Sequence, residues 1–189
     1  MQSENTTCPE TRESASSVLR LGQLGFDAPA ALLARFGLRL QRVPRDEPIP
    51  GSFWGDDEAG IIGTTVHARA DTPVHSLLHE ACHLIVLPAE RRPEVHTDAT
   101  DSIEEEDATC YLQIVLADQL PEVGRERLMD DMDAWGYSFR LGSARAWFEQ
   151  DAENARQWLV DHRLLTSDGH WMPPAPGIEQ HHDLSSLAS

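Results

Sequence analysis

The stretch from Thr72 to Pro88, TPVHSLLHEACHLIVLP, leaves the chain less freedom than any other. Apolar residues fill it at helical spacing, Thr72 is a good N-cap, Pro73 suits a first turn whose N–H has no intrahelical partner, and Pro88 stops it. The expectation is a helix between these bounds. Its histidines, His75, His79 and His83, recur every four residues and so share one face, with Glu80 beside the middle one. Any fold must bury the apolar part of this helix while finding a use for its histidine face.

His79-Glu80-Ala81-Cys82-His83 has the form H-E-x-x-H. Residues four apart lie one turn apart on the same face, so two imidazoles can converge on one tetrahedral zinc ion. Glu80 is rotated by about 100° from His79, beside such a metal rather than on it, where it can deprotonate a metal-activated water. His75 is too far along the axis to meet His83 at one metal and is expected to be an exposed bystander.

A catalytic zinc takes three protein ligands and keeps one position open, so a third ligand is required. The downstream segment SIEEEDATCYL supplies the candidates. Glu105 is in register with Ala108, Leu112 and Leu116, the side expected to face the motif helix, whereas Glu104 and Glu106 point further round. A competing reading pairs Glu105 with Ser102 in a capping box, and the acidic run as a whole complements the helix dipole.

Around these two helices, punctuation residues set the other elements. A short helix is expected at residues 16–21. Asp27 and Pro29 open another through APAALLARFG, closed by Gly37. LRLQRVP alternates like a strand, a second strand is expected at 61–70, and the turn-rich segment between them reads as a long loop holding Phe53 and Trp54. The helix bearing Glu105 should run from Asp101 or Ser102 to about Gln119. Two more follow, one up to Gly136 and one from a Ser143 cap with Trp147, Trp158 and Leu159 as core candidates. Residues 15–170 are thus expected to form one α+β domain, mostly helical, with a small sheet beside the zinc-binding helix. Residues 1–14 and 171–189, without apolar period, read as tails.

Composition narrows the partners. In 189 residues, 15 Lys+Arg face 32 Asp+Glu for a formal charge of −17, which repels phosphate backbones and acidic headgroups. Nucleic acid and membrane are therefore not expected partners. Cys8, Cys82 and Cys110 are odd in number and unpatterned, and the first residues lack a basic region followed by an apolar stretch, so a cytoplasmic setting is expected.

Taken together, the zinc motif, the helix and strand pair ahead of it, and the downstream run Glu105-Glu106-Asp107-Ala108-Thr109-Cys110-Tyr111 resemble the gluzincin metallopeptidases, and within them the ImmA/IrrE type. The resemblance covers about residues 27–120. In that family the ligand Glu lies three residues before an Ala and an aromatic three residues after it, which again points to Glu105. The resemblance implies a minimal zincin-like domain, one zinc ion, Glu80 as general base, and cleavage of a peptide bond in a protein or peptide substrate. It also implies that the strand at residues 64–69 is an edge strand able to pair with extended substrate. The family's polar residue after the Ala is here Thr109, and its oxyanion-stabilising His or Tyr has four candidates, Tyr111, Tyr137, His162 and His67.

The expected activity is that of a zinc metalloendopeptidase. The rival reading is a non-catalytic zinc-binding regulatory or scaffolding protein, which would need four protein ligands and no base. Cys82 and Cys110 read as small core residues rather than ligands. His96 lies in the loop between the two motif helices, His181 and His182 lie in the expected tail, and Phe53 and Trp54 are either groove-lining residues or loop anchors.

Overall fold

The computed structural model describes residues 18–53, 55–100 and 102–172. Both expected tails fall almost wholly outside them, as do Cys8, Trp54, Asp101, His181 and His182. The described chain is α+β and mostly helical, with seven α-helices and one three-stranded sheet. None of these helices is long and apolar enough to cross a membrane.

The first helix, α1, spans Leu21–Leu24, later than the expected 16–21, and α2 spans Asp27–Ala34. The α2 helix ends where Gly37 takes a positive φ of 72°, and the Leu38 N–H then returns to the Leu33 carbonyl at 3.2 Å. Leu32, Leu33 and Phe36 are buried together, as their spacing predicted.

The sheet is formed by β1 (Arg39–Arg42), β2 (Gly60–Ile62) and β3 (Thr65–Ala68), in the order β1-β3-β2. The single strand expected at 61–70 is instead a hairpin, because Gly63, at φ 58°, turns the chain between Ile62 and Thr65. Consequently β3 is not an edge strand. It is parallel to β1 (Leu40 opposite Val66) and antiparallel to β2 (Ile61 opposite Val66). The outer side of β2 is covered in turn: Gly63 N–H donates to the Val95 carbonyl at 2.8 Å and Thr97 N–H to the Ile61 carbonyl at 3.0 Å, placing residues 95–97 beside it.

The motif helix, α3, spans Val74–Val86. Pro73 occupies its N-cap position rather than Thr72, whose hydroxyl instead accepts from the Arg69 N–H at 3.0 Å and closes the turn leading in. At the far end Leu87 is extended and Pro88 follows, as its missing N–H and its effect on the preceding residue require. One side of α3 packs on β2 and β3, and another on α4 (Ile103–Ala117) and α5 (Gly124–Trp135). Leu77, Leu78, Ala81, Cys82 and Leu84 join the core shared with Val66, Leu112 and Met129.

The α4 helix is the centre of the helical half. It is capped by Ser102, whose hydroxyl accepts from the Glu105 N–H at 3.3 Å, and it is buried continuously from Ala108 to Ala117 against α3, α5 and α7. The last helix expected from Ser143 is two: α6 (Ala144–Gln150) and α7 (Glu153–Asp161). The break falls at Asp151, which leaves helical geometry and takes the Arg140 guanidinium on its carboxylate. Trp147 and Leu159 are in the core, while Trp158 is half-buried and stacks on His162.

Candidate metal centre

On α3 the four-residue repeat brings His79 and His83 one turn apart, with Nε2 of each ring facing the other at 3.1 Å. Burial holds both imidazoles well below their ordinary value, His79 at about 3 and His83 at about 4, so both are neutral. A carboxylate approaches both. Glu106 Oε1 is 3.5 Å from His79 Nε2 and Glu106 Oε2 is 3.4 Å from His83 Nε2. With uncharged rings this contact is not an ion pair, and it brings two imidazole nitrogens and a carboxylate together.

The donor set fits a zinc ion. Two bonds of about 2.0–2.1 Å opened to the tetrahedral angle hold their donor atoms about 3.3 Å apart. The two ring nitrogens, 3.1 Å apart, sit at about that spacing, one or the other Glu106 oxygen lies 3.4–3.5 Å from each of them, and no fourth His, Cys, Asp or Glu among the described residues joins the set. Two imidazoles and one carboxylate with an open position form a donor set of the kind used by catalytic rather than structural zinc.

The third group is Glu106, not the expected Glu105. Glu105 accepts a hydrogen bond from the Thr100 hydroxyl, lies 3.7 Å from the Arg91 guanidinium and fastens the start of α4. The expected register failed because α4 is buried on all sides, so Ala108, Leu112 and Leu116 mark burial but not the face toward α3. The side that meets α3 is a polar stripe, Glu106, Thr109 and Gln113, at the i, i+3, i+7 spacing of one helical face. Thr109 Oγ1 is 3.4 Å from His83 Nδ1. The Gln113 carboxamide, fully buried, lies against the His79 ring without closing a bond, so Gln113 Oε1 and His79 Nδ1 both lack partners.

Glu80 lines the cavities on either side of the cluster. One, of ≈ 250 Å³, is bounded by His79, Glu106, Glu58, His75, Trp135 and Tyr137 among others. The other, of ≈ 270 Å³, is bounded by His79, His83, Thr97, Asp98 and Ala99. Phe53, 63% exposed, lines both cavities. Burial pushes the Glu80 carboxyl up to about 8, and the nearby Glu58, Glu106 and Asp98 carboxylates push in the same direction. Such crowding of acids around neutral imidazoles is relieved by a cation, which would return Glu80 to its ionised, proton-accepting form.

His75 is not the exposed bystander its place in a first turn suggested. It is fully buried, edge-on to Tyr137 (ring centres 5.5 Å apart, 89°) and tilted against Trp135 (5.2 Å), and neither ring nitrogen has a hydrogen-bond partner. It is also outside the three-residue donor set. Cys82 and Cys110 are buried, which pushes both thiols up, and neither joins that set.

Of the four oxyanion candidates, only Tyr137 lines the cavity with His79 and Glu80. Tyr111 stacks on Phe148 at 4.5 Å, His162 stacks on Trp158 at 3.6 Å, and His67 lies on β3. Burial keeps the Tyr137 phenol protonated well beyond its ordinary range, so it is available as a donor. His96 bridges to Ile62 on the sheet side, and the chain just after it reaches the second cavity.

Comparison of the chain with protein-family models, curated proteins and solved structures returns no match.

Proposed function

We propose that the chain is a zinc-dependent peptide-bond hydrolase, an endopeptidase of the gluzincin kind similar to the ImmA/IrrE type, acting on a protein or peptide substrate in the cytoplasm. The observation that carries this reading is the set of His79 Nε2, His83 Nε2 and a Glu106 carboxylate oxygen, joined by no fourth His, Cys, Asp or Glu among the described residues, with Glu80 lining the cavities beside it. A purely structural zinc site would close that corner with a fourth protein ligand and would have no use for an adjacent carboxylate.

His79, His83 and Glu106 would hold the ion. Zinc bound there supplies Lewis acidity, polarising a substrate carbonyl and bringing the pKa of a water from about 16 towards 7. Glu80 takes the proton as the water oxygen bonds to the carbonyl carbon, and the Tyr137 hydroxyl donates to the oxygen on which negative charge develops. Glu80 then returns the proton to the amide nitrogen as the C–N bond breaks, releasing a carboxylate and an amine. The groove on both sides of Glu80 suits an extended chain that continues past the bond being cut, as an endopeptidase requires.

Zinc analysis together with a peptide-library digest tests the reading. Wild type should hold about one equivalent of zinc and cleave internal bonds, and Glu80→Gln should keep the metal and lose cleavage. Zinc retained without cleavage of any peptide or protein would transfer support to the non-catalytic reading.

A further inference from the structure

The ≈ 250 Å³ cavity bounded by Glu58, His75, Trp135 and Tyr137 shares a wall with the donor set but extends beyond what the hydrolytic chemistry uses. Resting on the peptidase reading above, we propose that it is a subsite for one cationic side chain of the substrate, Arg or Lys, next to the bond that is cut.

Size comes first. Sites for whole small molecules occupy about 300–1,000 Å³, so this cavity, at ≈ 250 Å³, is of a size that suits one side chain. Its chemistry then selects the charge. Phe53, Trp135 and Tyr137 supply aromatic surface, and Glu58 supplies a carboxylate that the donor set does not use, while no cationic residue lines it. Aromatic faces combined with carboxylates attract an ammonium or guanidinium and repel an acidic side chain.

Glu58 is held for this purpose by the Trp135 indole, whose Nε1–H donates to Glu58 Oε1 at 3.1 Å. Arg20 lies outside the cavity lining, with its guanidinium 5.9 Å from the Trp135 ring and engaged by Asp57 and the Asp71 carbonyl. It orders the Trp135 wall without filling the space.

His75 provides the second, independent observation. Its ring lines the cavity, is fully buried, and has both nitrogens unpartnered. A neutral imidazole keeps one nitrogen as an acceptor, and a buried acceptor left empty costs on the order of 1–3 kcal/mol. An N–H group from Arg or Lys satisfies it once the ring turns this nitrogen toward the cavity, whereas an aliphatic side chain leaves it orphaned. The net charge of −17 steers cationic peptides to the groove in the first place.

The test has two arms. In the first, zinc-loaded wild type is given a peptide whose residue beside the cut site is Arg, Lys, norleucine or Glu. We expect kcat/KM for Arg and Lys to exceed that for norleucine by at least about tenfold, and Glu58→Gln to bring the Arg-to-norleucine ratio close to one. No preference for the cations in wild type, or an unchanged ratio in Glu58→Gln, overturns the proposal while leaving the peptidase reading intact. In the second arm, which needs no turnover, Glu80→Gln protein is titrated with N-acetyl-arginine amide and N-acetyl-norleucine amide and followed by tryptophan fluorescence. The arginine amide should bind at least about tenfold tighter, and adding Glu58→Gln should remove the difference. Equal binding overturns the subsite. Trp135→Phe, which keeps a ring but removes the N–H that holds Glu58, should lower the Arg preference in both arms and guards against misfolding of the Glu58 variant.

Discussion

Glu105 and Glu106 are neighbours in the chain but serve different structures: Glu106 faces His79 and His83 at 3.5 and 3.4 Å, while Glu105 bonds to Thr100 and lies 3.7 Å from Arg91. One helical step of about 100° separates a histidine-facing carboxylate from a helix-fastening one.

The two adjacent residues should therefore fail in different ways. Glu106→Gln should weaken zinc affinity by about 100-fold or more, measured by competition with a chromophoric chelator. Glu105→Gln should retain the metal and instead lower thermal stability by about 1 kcal/mol. The opposite result would return Glu105 to the donor set.

Glu80→Gln is nearly isosteric and leaves all three donor groups in place. Zinc content should stay near that of wild type while kcat falls by about 10²–10⁴-fold. Equal losses of metal and rate would make Glu80 a ligand instead of a base.

Gln113 and Thr109 lie behind the two imidazoles, Thr109 Oγ1 3.4 Å from His83 Nδ1 and Gln113 against His79. Groups in such positions fix which ring nitrogen carries the proton and so which one faces the metal. Gln113→Leu and Thr109→Val should each lower zinc affinity by about 10–100-fold with the helix content unchanged by circular dichroism. Unaltered affinity would show that the rings orient themselves.

His75 gives a pH signature with a definite sign. Burial holds its imidazole at about 3 in the folded chain, against an ordinary value of 6.5. Between those values the unfolded chain binds a proton that the folded one does not. The contribution is fully present above pH 6.5 and is lost as pH falls toward 3, at up to about 1.4 kcal/mol per pH unit. His75→Phe should flatten that decline, read as urea midpoints across the window. Parallel curves for the two proteins would place a charged or solvated His75 in the fold.

Much of this was legible in the sequence wherever a local rule decided the outcome. Proline and glycine punctuation located α3, the ends of α2 and α5, and the histidine pair, because those rules depend on only a few neighbouring residues. The β2–β3 hairpin was missed because Gly63 interrupts an otherwise continuous strand pattern. Glu106 was missed for a subtler reason: from Ala108 to Ala117 α4 is buried all round, so hydrophobic register carries no information about which side meets α3. The usable signal was the inverse one, polar Thr109 and Gln113 recurring in step with Glu106 through a helix that is otherwise core. His75 and Tyr137 owe their positions to Trp135 and the turn after α5, which lie far along the chain and leave no mark near residue 75.

The three donor groups come from two helices that touch through the middle of the core rather than from a flexible loop. The spacing between them is thus an interhelical distance, set by Leu78, Cys82, Leu112 and their neighbours. On the zinc reading proposed above, metal affinity would be a gauge of the interior: a core substitution that lets α3 and α4 drift by a few tenths of an ångström should register as weaker zinc binding before it registers as unfolding.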